Sequence, residues 1–208
     1  MSSIIEGEIA RADGEFLRCY LQGALRDGTA SPRHRTHRFG QSDPAWLAAI
    51  RQALTLLGHR SWTYREGRSR SFWILETRAE FLDVRFDPCP VMGRSAGRAY
   101  ARGYFDADGG MPRSDGARLY LQYTQKDRAD LERLRRLLEV EGISCGRIHN
   151  PSVRVDPDYW RFFVRASSWQ AFLSRIGSWH PIKRPLIDAR LGRMTMNMEI
   201  LPTPEPGS

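Results

Sequence analysis

Lysine is almost missing from this chain. Of 32 lysine and arginine residues only Lys126 and Lys183 are lysine, and against 24 acids they leave a formal net charge of +8. Cysteine is as scarce: Cys19, Cys89 and Cys145 are odd in number and lack C-x-x-C spacing, so they read as free thiols of a reducing compartment. No apolar run approaches the roughly 20 residues of a membrane-spanning helix, and no secretory leader is evident. The expectation is a soluble intracellular protein, cytoplasmic or nucleoid-associated, without a membrane partner. His34 and His37 form an H-x-x-H that lacks the carboxylate or cysteine partners of a zinc site and is better suited to phosphate. A phosphate-cradling P-loop, a dinucleotide fingerprint and a nucleophilic triad are all missing, so no small-molecule substrate is expected.

What the chain does contain is a helix with an unusual end. Ala99-Tyr100-Ala101-Arg102-Gly103-Tyr104-Phe105-Asp106-Ala107-Asp108-Gly109-Gly110 reads as a helix halted by a glycine pair, with acids on its last turn. The C-terminal end of a helix is partially negative, so Asp106 and Asp108 stand where the dipole disfavours them. A hard divalent cation, held by carboxylate and carbonyl oxygens, reverses that penalty. The alternative is a solvated C-cap. Ala99, Gly103 and Ala107, four apart, form a small-residue stripe that admits a second helix backbone closely.

A weaker copy of this segment lies upstream, where Cys19-Tyr20-Leu21-Gln22-Gly23-Ala24-Leu25-Arg26-Asp27-Gly28 aligns glycine on glycine. The copying continues, with Gln41 opposite Gln125 and Asp43 opposite Asp127. Helical stretches follow, Pro44 to Leu57 and Arg128 to Val140, ended by Gly58 and Gly142 where a left-handed residue is wanted. Apolar strands then lead into segments carrying Phe81-Leu82 or Phe172-Leu173. The order helix, strands, helix, strand, helix is given twice. It predicts two halves of approximate two-fold symmetry rather than a solenoid, which needs three or more units. The expected boundaries are 14–87 for the first half, 88–97 for a linker rich in turn formers and 98–201 for the second half. A proline-rich tail over 202–208 is expected to be disordered, and the first dozen residues form a short helix or arm.

The charge points to a polyanionic partner. Arginine gives planar, bidentate contact to phosphate and to guanine in the major groove. The basic residues gather in predicted strands and their loops: Arg33, Arg35, His37 and Arg38, then Arg65, Arg68 and Arg70, in the first half. Arg113, Arg118, Arg147, His149, Arg154 and Arg161 take the corresponding places in the second. Strands alternate their faces, so one face is free to read DNA while the other packs on helices. The sheet aromatics, among them Trp62, Tyr64, Tyr120 and Phe163, are expected to pack rather than stack on bases.

These two motifs and the repeat around them resemble the LAGLIDADG homing endonucleases of the single-chain, two-motif kind, over roughly Phe16 to Leu186. The resemblance implies an α+β fold of two pseudo-symmetric αββαββα halves, with the motif helices packed at the centre and antiparallel sheets forming a DNA-binding saddle. It also implies a site-specific endonuclease, expected as a monomer, that hydrolyses both strands of a long double-stranded DNA target and leaves staggered ends. Asp27 and Asp108 would then hold two or three Mg2+ ions with the backbone carbonyls of Arg26 and Ala107. Gln41 and Gln125 would orient water, Lys126 would meet a phosphate or solvent, and Lys183 resembles the basic residue such enzymes place near the scissile phosphate; otherwise Lys183 forms a surface salt bridge.

The first motif departs from the pattern. Gly103 precedes Asp108 by five positions, whereas Gly23 precedes Asp27 by four. At about 100° per residue, a regular helix would turn Asp27 away. Either a tightened last turn, eased by Gly28, brings Asp27 back, or this half has lost its acid. The latter gives the alternative reading, a nicking or catalytically weakened protein acting as a DNA- or RNA-binding regulator or intron maturase.

Overall fold

A computed structural model describes residues 3–67, 71–88 and 93–199. In the first half, α1 (Ser3–Arg11) buries Ile5 and Ile9 beneath α3. Helix α2 (Gly14–Ala24) starts at Asp13, whose carboxylate accepts the Phe16 amide at 2.7 Å, and runs into a 3-10 turn, Leu25–Asp27. Strands β1 (Thr29–Ser31) and β2 (Thr36–Gln41) come next, then α3 (Ala45–Leu56), β3 (Ser61–Arg65) and β4 (Trp73–Thr77). The strands form one antiparallel sheet in the order β1-β2-β4-β3.

The second half repeats the plan. Helix α4 (Arg94–Asp108) leads to β5 (Gly109–Gly110), β6 (Gln122–Gln125), α5 (Arg128–Val140), β7 (Trp160–Phe163) and α6 (Trp169–Arg175), with α7 (Lys183–Glu199) beyond. Its sheet is antiparallel in the order β5-β6-β7. Gly58 and Gly142 follow α3 and α5 at φ +79° and +73°, the left-handed residues expected there. Glutamine stands opposite tryptophan at matching places in the two sheets, Gln41 by Trp73 and Gln125 by Trp160.

The expected α+β architecture is present, but each half departs from αββαββα by one element. Residues 78–88 form turns where a closing helix was expected. The reason is competition for backbone groups. The Gln22 side chain donates to the Phe81 carbonyl at 2.9 Å and accepts the Asp83 amide at 3.2 Å, and Arg26 takes the Val84 and Phe86 carbonyls. In the second half, the segment between α5 and β7 forms only isolated bridges, Cys145 with Val164 and His149 with Arg161, in place of one strand of that plan. Helix α4 begins at Arg94, so the last residues of the expected linker are helical. The expected tail over 202–208 lies outside the described residues.

Two apolar cores result, one per half, and Cys19 packs against both. Between them α2 and α4 cross in near-contact. A Cβ added at Gly23 would lie 2.0 Å from the Tyr100 carbonyl oxygen, and one at Gly103 would lie 2.0 Å from that of Tyr20. The contact is reciprocal, as a two-fold axis between the helices requires.

Candidate active site

The close crossing carries the two motif ends to the centre of the molecule. On α2 the final residues tighten from α to 3-10, and the Gly28 amide donates to the Leu25 carbonyl at 2.8 Å. A 3-10 turn advances about 120° per residue, which recovers part of the rotation that the missing residue forfeits. Asp27 thereby comes within electrostatic range of Asp108. The Asp108 carboxyl is pushed up to about 6, first by burial and then by the charge of Asp27, with Lys183 opposing. Asp27 keeps one edge open to solvent, yet the packed helix ends behind it desolvate it and raise its pKa as well.

Gln125 ties the two turns together. Its Nε2 donates to the Arg26 carbonyl at 3.4 Å and to Asp108 Oδ2 at 3.3 Å. Thr124 Oγ1 donates to the Asp108 carbonyl at 3.1 Å. Two of the oxygens expected to hold a cation thus share one amide nitrogen. Gln41, at the matching place in the first sheet, instead lines a cavity of about 530 Å³ with Asp43, Ala107, Arg113, His180 and Lys183. The site is therefore two-fold in its acids and one-sided in its surroundings.

Lys183 is neither a surface ion pair nor a free cation. Its ammonium is enclosed at the C-terminal end of α4 and donates to the carbonyls of Phe105, of Asp106 at 3.1 Å and of Gly109 at 2.7 Å. An ammonium has three donors, and these three carbonyls engage it. Burial lowers its pKa to about 8, while Asp106, Asp108 and Asp27 oppose the shift. Arginine has no such compact tip, which accounts for a lysine here in a chain that otherwise uses arginine.

Asp106, the other acid on the last turn, does not face the cation space with Asp108 but anchors this end of α4. It is buried and accepts from the Tyr20 hydroxyl at 2.8 Å, the Trp179 amide at 2.8 Å and the Ser178 hydroxyl. Burial raises its pKa, and Lys183 leads the groups that lower it. Trp46 donates to the same Tyr20 hydroxyl at 2.9 Å. His180, next along, is pushed down to about 4 by burial and by Lys183, so it is neutral at physiological pH. Trp179-His180 and Lys183 lie close in sequence, but only the fold shows that they close over the motif helix.

The oxygen-rich donors suit a hard cation. The charge of Asp27 raises the proton affinity of the buried Asp108, and the Arg26 carbonyl shares a donor with that carboxylate. Among the described residues no group of three or more His, Cys, Asp or Glu is placed to hold a metal, so backbone oxygens and water would complete the shell.

The basic residues divide by strand alternation. Arg38 lies opposite Glu76 on the outer face of the first sheet, where it donates to the Tyr64 hydroxyl at 3.0 Å and to Glu66 at 2.7 Å. Arg161 lies on the outer face of the second, opposite Thr124 and over the Phe163 ring at 5.1 Å, and bridges to His149. Arg33, Arg35, Arg65, Arg113, Arg118, Lys126 and Arg154 are exposed in strands or loops. His37, grouped with Arg38 in the sequence, is on the other face: alternation turns it with Phe39 toward the core, and burial lowers its pKa. Arg147 lines a groove with Arg128 and Arg136 on the flank of α5 rather than joining Arg161. Arg68 and Arg70 lie outside the described residues. Tyr123 is buried and Tyr120, though 41% exposed, meets Phe163 edge to face at 6.4 Å as expected, whereas Trp62 is 42% exposed.

No curated protein sequence matches this chain. Residues 96–177 match the LAGLIDADG-like domain family. Among solved structures, I-DmoI in complex with DNA and Mn shares the fold at TM-score 0.60 and 15% identity, over 79% of this chain and 98% of that one. I-DmoI in complex with DNA and Ca gives TM-score 0.64 at 14% identity, over 85% and 99%. Full-length DUF199/WhiA from Thermatoga maritima gives TM-score 0.66 at 15% identity, over 98% of this chain and 69% of that one. Residues 96–177 thus resemble a LAGLIDADG-like domain, and the chain as a whole shares the fold of these solved structures.

Proposed function

We propose that this protein is a divalent-metal-dependent endonuclease that binds a long double-stranded DNA site and hydrolyses one phosphodiester bond in each strand, leaving staggered ends. The observation that carries this reading is that Asp27 and Asp108 end two helices in backbone contact, where burial first and the Asp27 charge second push the Asp108 carboxyl up to about 6. Neighbouring acids with raised pKa values are a liability in a structural core; at a cation site they are the ligand set.

A bound Mg2+ ion supplies polarisation of a phosphoryl oxygen and a lowered pKa for the attacking water. Asp27, Asp108 and the Arg26 and Ala107 carbonyls would hold two or three such ions. Gln125 fixes the first-motif turn against Asp108, and Gln41 orients water in the cavity beside α4. Lys183 holds the last turn of α4 by its carbonyls, so its part is to position Asp108. The exposed arginines on the outer sheet faces and loops engage phosphates and base edges. The chain acts as a monomer, since both motifs are in one polypeptide.

The shortened first motif favours one second reading, a protein that nicks or binds without cutting. Incubation with a randomised duplex library distinguishes the readings. Double-strand cutting with Mg2+, binding without cutting in Ca2+ and loss of cutting in Asp108→Asn support the endonuclease. Nicking alone, or binding without cutting in both ions, supports the second reading.

A further inference from the structure

Arg26 immediately precedes Asp27 in the tightened turn, and its side chain is only 7% exposed. Its guanidinium is held from several sides. Nε donates to the Tyr100 hydroxyl at 2.7 Å and Nη1 to the Val84 carbonyl at 3.1 Å; Nη1 also lies 2.9 Å from Asp130, and Nη2 donates to the Phe86 carbonyl. Tyr100 and Asp130 belong to α4 and α5, so the turn of the first half is fastened to the second. The carbonyl of the same residue accepts from Gln125 Nε2.

The matching position on α4 is Asp106, since Arg26 and Asp106 each stand three residues after the glycine of the crossing. Asp106 takes the Tyr20 hydroxyl as Arg26 takes that of Tyr100. Each helix end thus grips the other helix's tyrosine, with a cation in one half and an anion in the other. Only the Arg26 side must hold a turn one residue short.

We infer that Arg26 is a positioning residue that offsets the deletion in the first motif: its guanidinium holds the 3-10 turn to α4 and α5 and so aims Asp27 at Asp108. This rests on the cation-holding role proposed for Asp27. A regular α-helical turn would leave the Arg26 guanidinium and the Asp27 carboxylate rotated away from these partners; the anchors select the tighter form.

The test is Mn2+ binding to the full chain, followed by loss of the free-ion EPR signal, with urea unfolding alongside. Arg26→Met and Asp27→Asn are each expected to weaken binding about tenfold or more, the double variant no further than Asp27→Asn alone, and Arg26→Lys less than Arg26→Met. Arg98→Met, which removes another half-buried ion pair, with Glu141, is expected to bind Mn2+ as wild type does. Wild-type affinity in folded Arg26→Met, or additive losses in the double variant, overturns the inference. If Arg26→Met does not fold, Tyr100→Phe and Asp130→Asn each remove one anchor, and wild-type affinity in both overturns it. A wild-type protein that binds no Mn2+ defeats the cation reading itself, and the inference with it.

Discussion

Replacing Asp108 by Asn should make the metal-free protein more stable, an inverted result for a residue at the centre of a fold. The carboxyl has an ordinary value of 3.8 and is pushed up to about 6 by burial and by Asp27. A raised acid binds its proton more tightly folded than unfolded, so stability is lost as pH rises from about 4 through about 6. At pH 7.5 the accumulated loss is about 3 kcal/mol. Asn carries no charge and can still accept from Gln125, so Asp108→Asn should recover about 1–3 kcal/mol, or about 2–4 °C in Tm per kcal/mol for a chain of this size. At pH 5 the advantage should fall to about half, since wild-type Asp108 is then mostly protonated when folded. Mn2+ at a hundredfold excess over its Kd adds about 2.7 kcal/mol to a protein that binds it. That gain should appear in wild type and be largely lost in the variant. Urea unfolding in EDTA and in Mn2+, at both pH values, reads all four numbers. If Asp108→Asn is no more stable than wild type in EDTA at pH 7.5, or if both proteins gain equally from Mn2+, the paired-acid reasoning is refuted.

Three further outcomes follow from the same geometry. Mn2+ affinity should fall about tenfold per pH unit below about 6, where Asp108 takes up a proton, and level off above it; calorimetric titration between pH 5 and 8 checks this, and a flat profile would count against Asp108 as a ligand. Lys183→Met should destabilise by about 2–4 kcal/mol, because it leaves the Phe105, Asp106 and Gly109 carbonyls without their donor. It should also move the Mn2+ midpoint to higher pH, since the ammonium lowers both Asp27 and Asp108. Gly103→Ala and Gly23→Ala should each cost about 3 kcal/mol or more, because the new methyl meets a backbone carbonyl at 2.0 Å. Gly97→Ala, whose nearest neighbour is Leu137 at 3.7 Å, should instead be neutral or stabilising by up to about 1 kcal/mol in unfolding experiments.

Much of the fold is written in local signals. The periodic apolar stretches of α3 and α5, the glycines that end them and the four-residue spacing of Ala99, Gly103 and Ala107 each follow from helix geometry alone. The repeat then pairs Gln41 with Gln125, and a shared register, glutamine opposite tryptophan, bears the pairing out. The missing closing helix of the first half was not legible, because Phe81 and Leu82 read as its apolar face. What prevents that helix is Gln22 and Arg26, about sixty residues earlier in the chain. His37 was misplaced for a smaller reason: a strand's faces are fixed only once its register is.

The chain by itself determined that two glycine-marked helices would carry acids at their ends, because spacing and residue size are properties of local geometry. It also determined the arginine-rich surface, since charge is additive and needs no fold to count. Tertiary structure alone decided that the short first motif tightens rather than turns away. It decided too that Lys183 caps a helix instead of meeting solvent, and that Asp106 and Arg26 hold each other's helices. Those outcomes depend on groups that are distant in the chain and compete for the same backbone oxygens, and only packing determines which of them prevails.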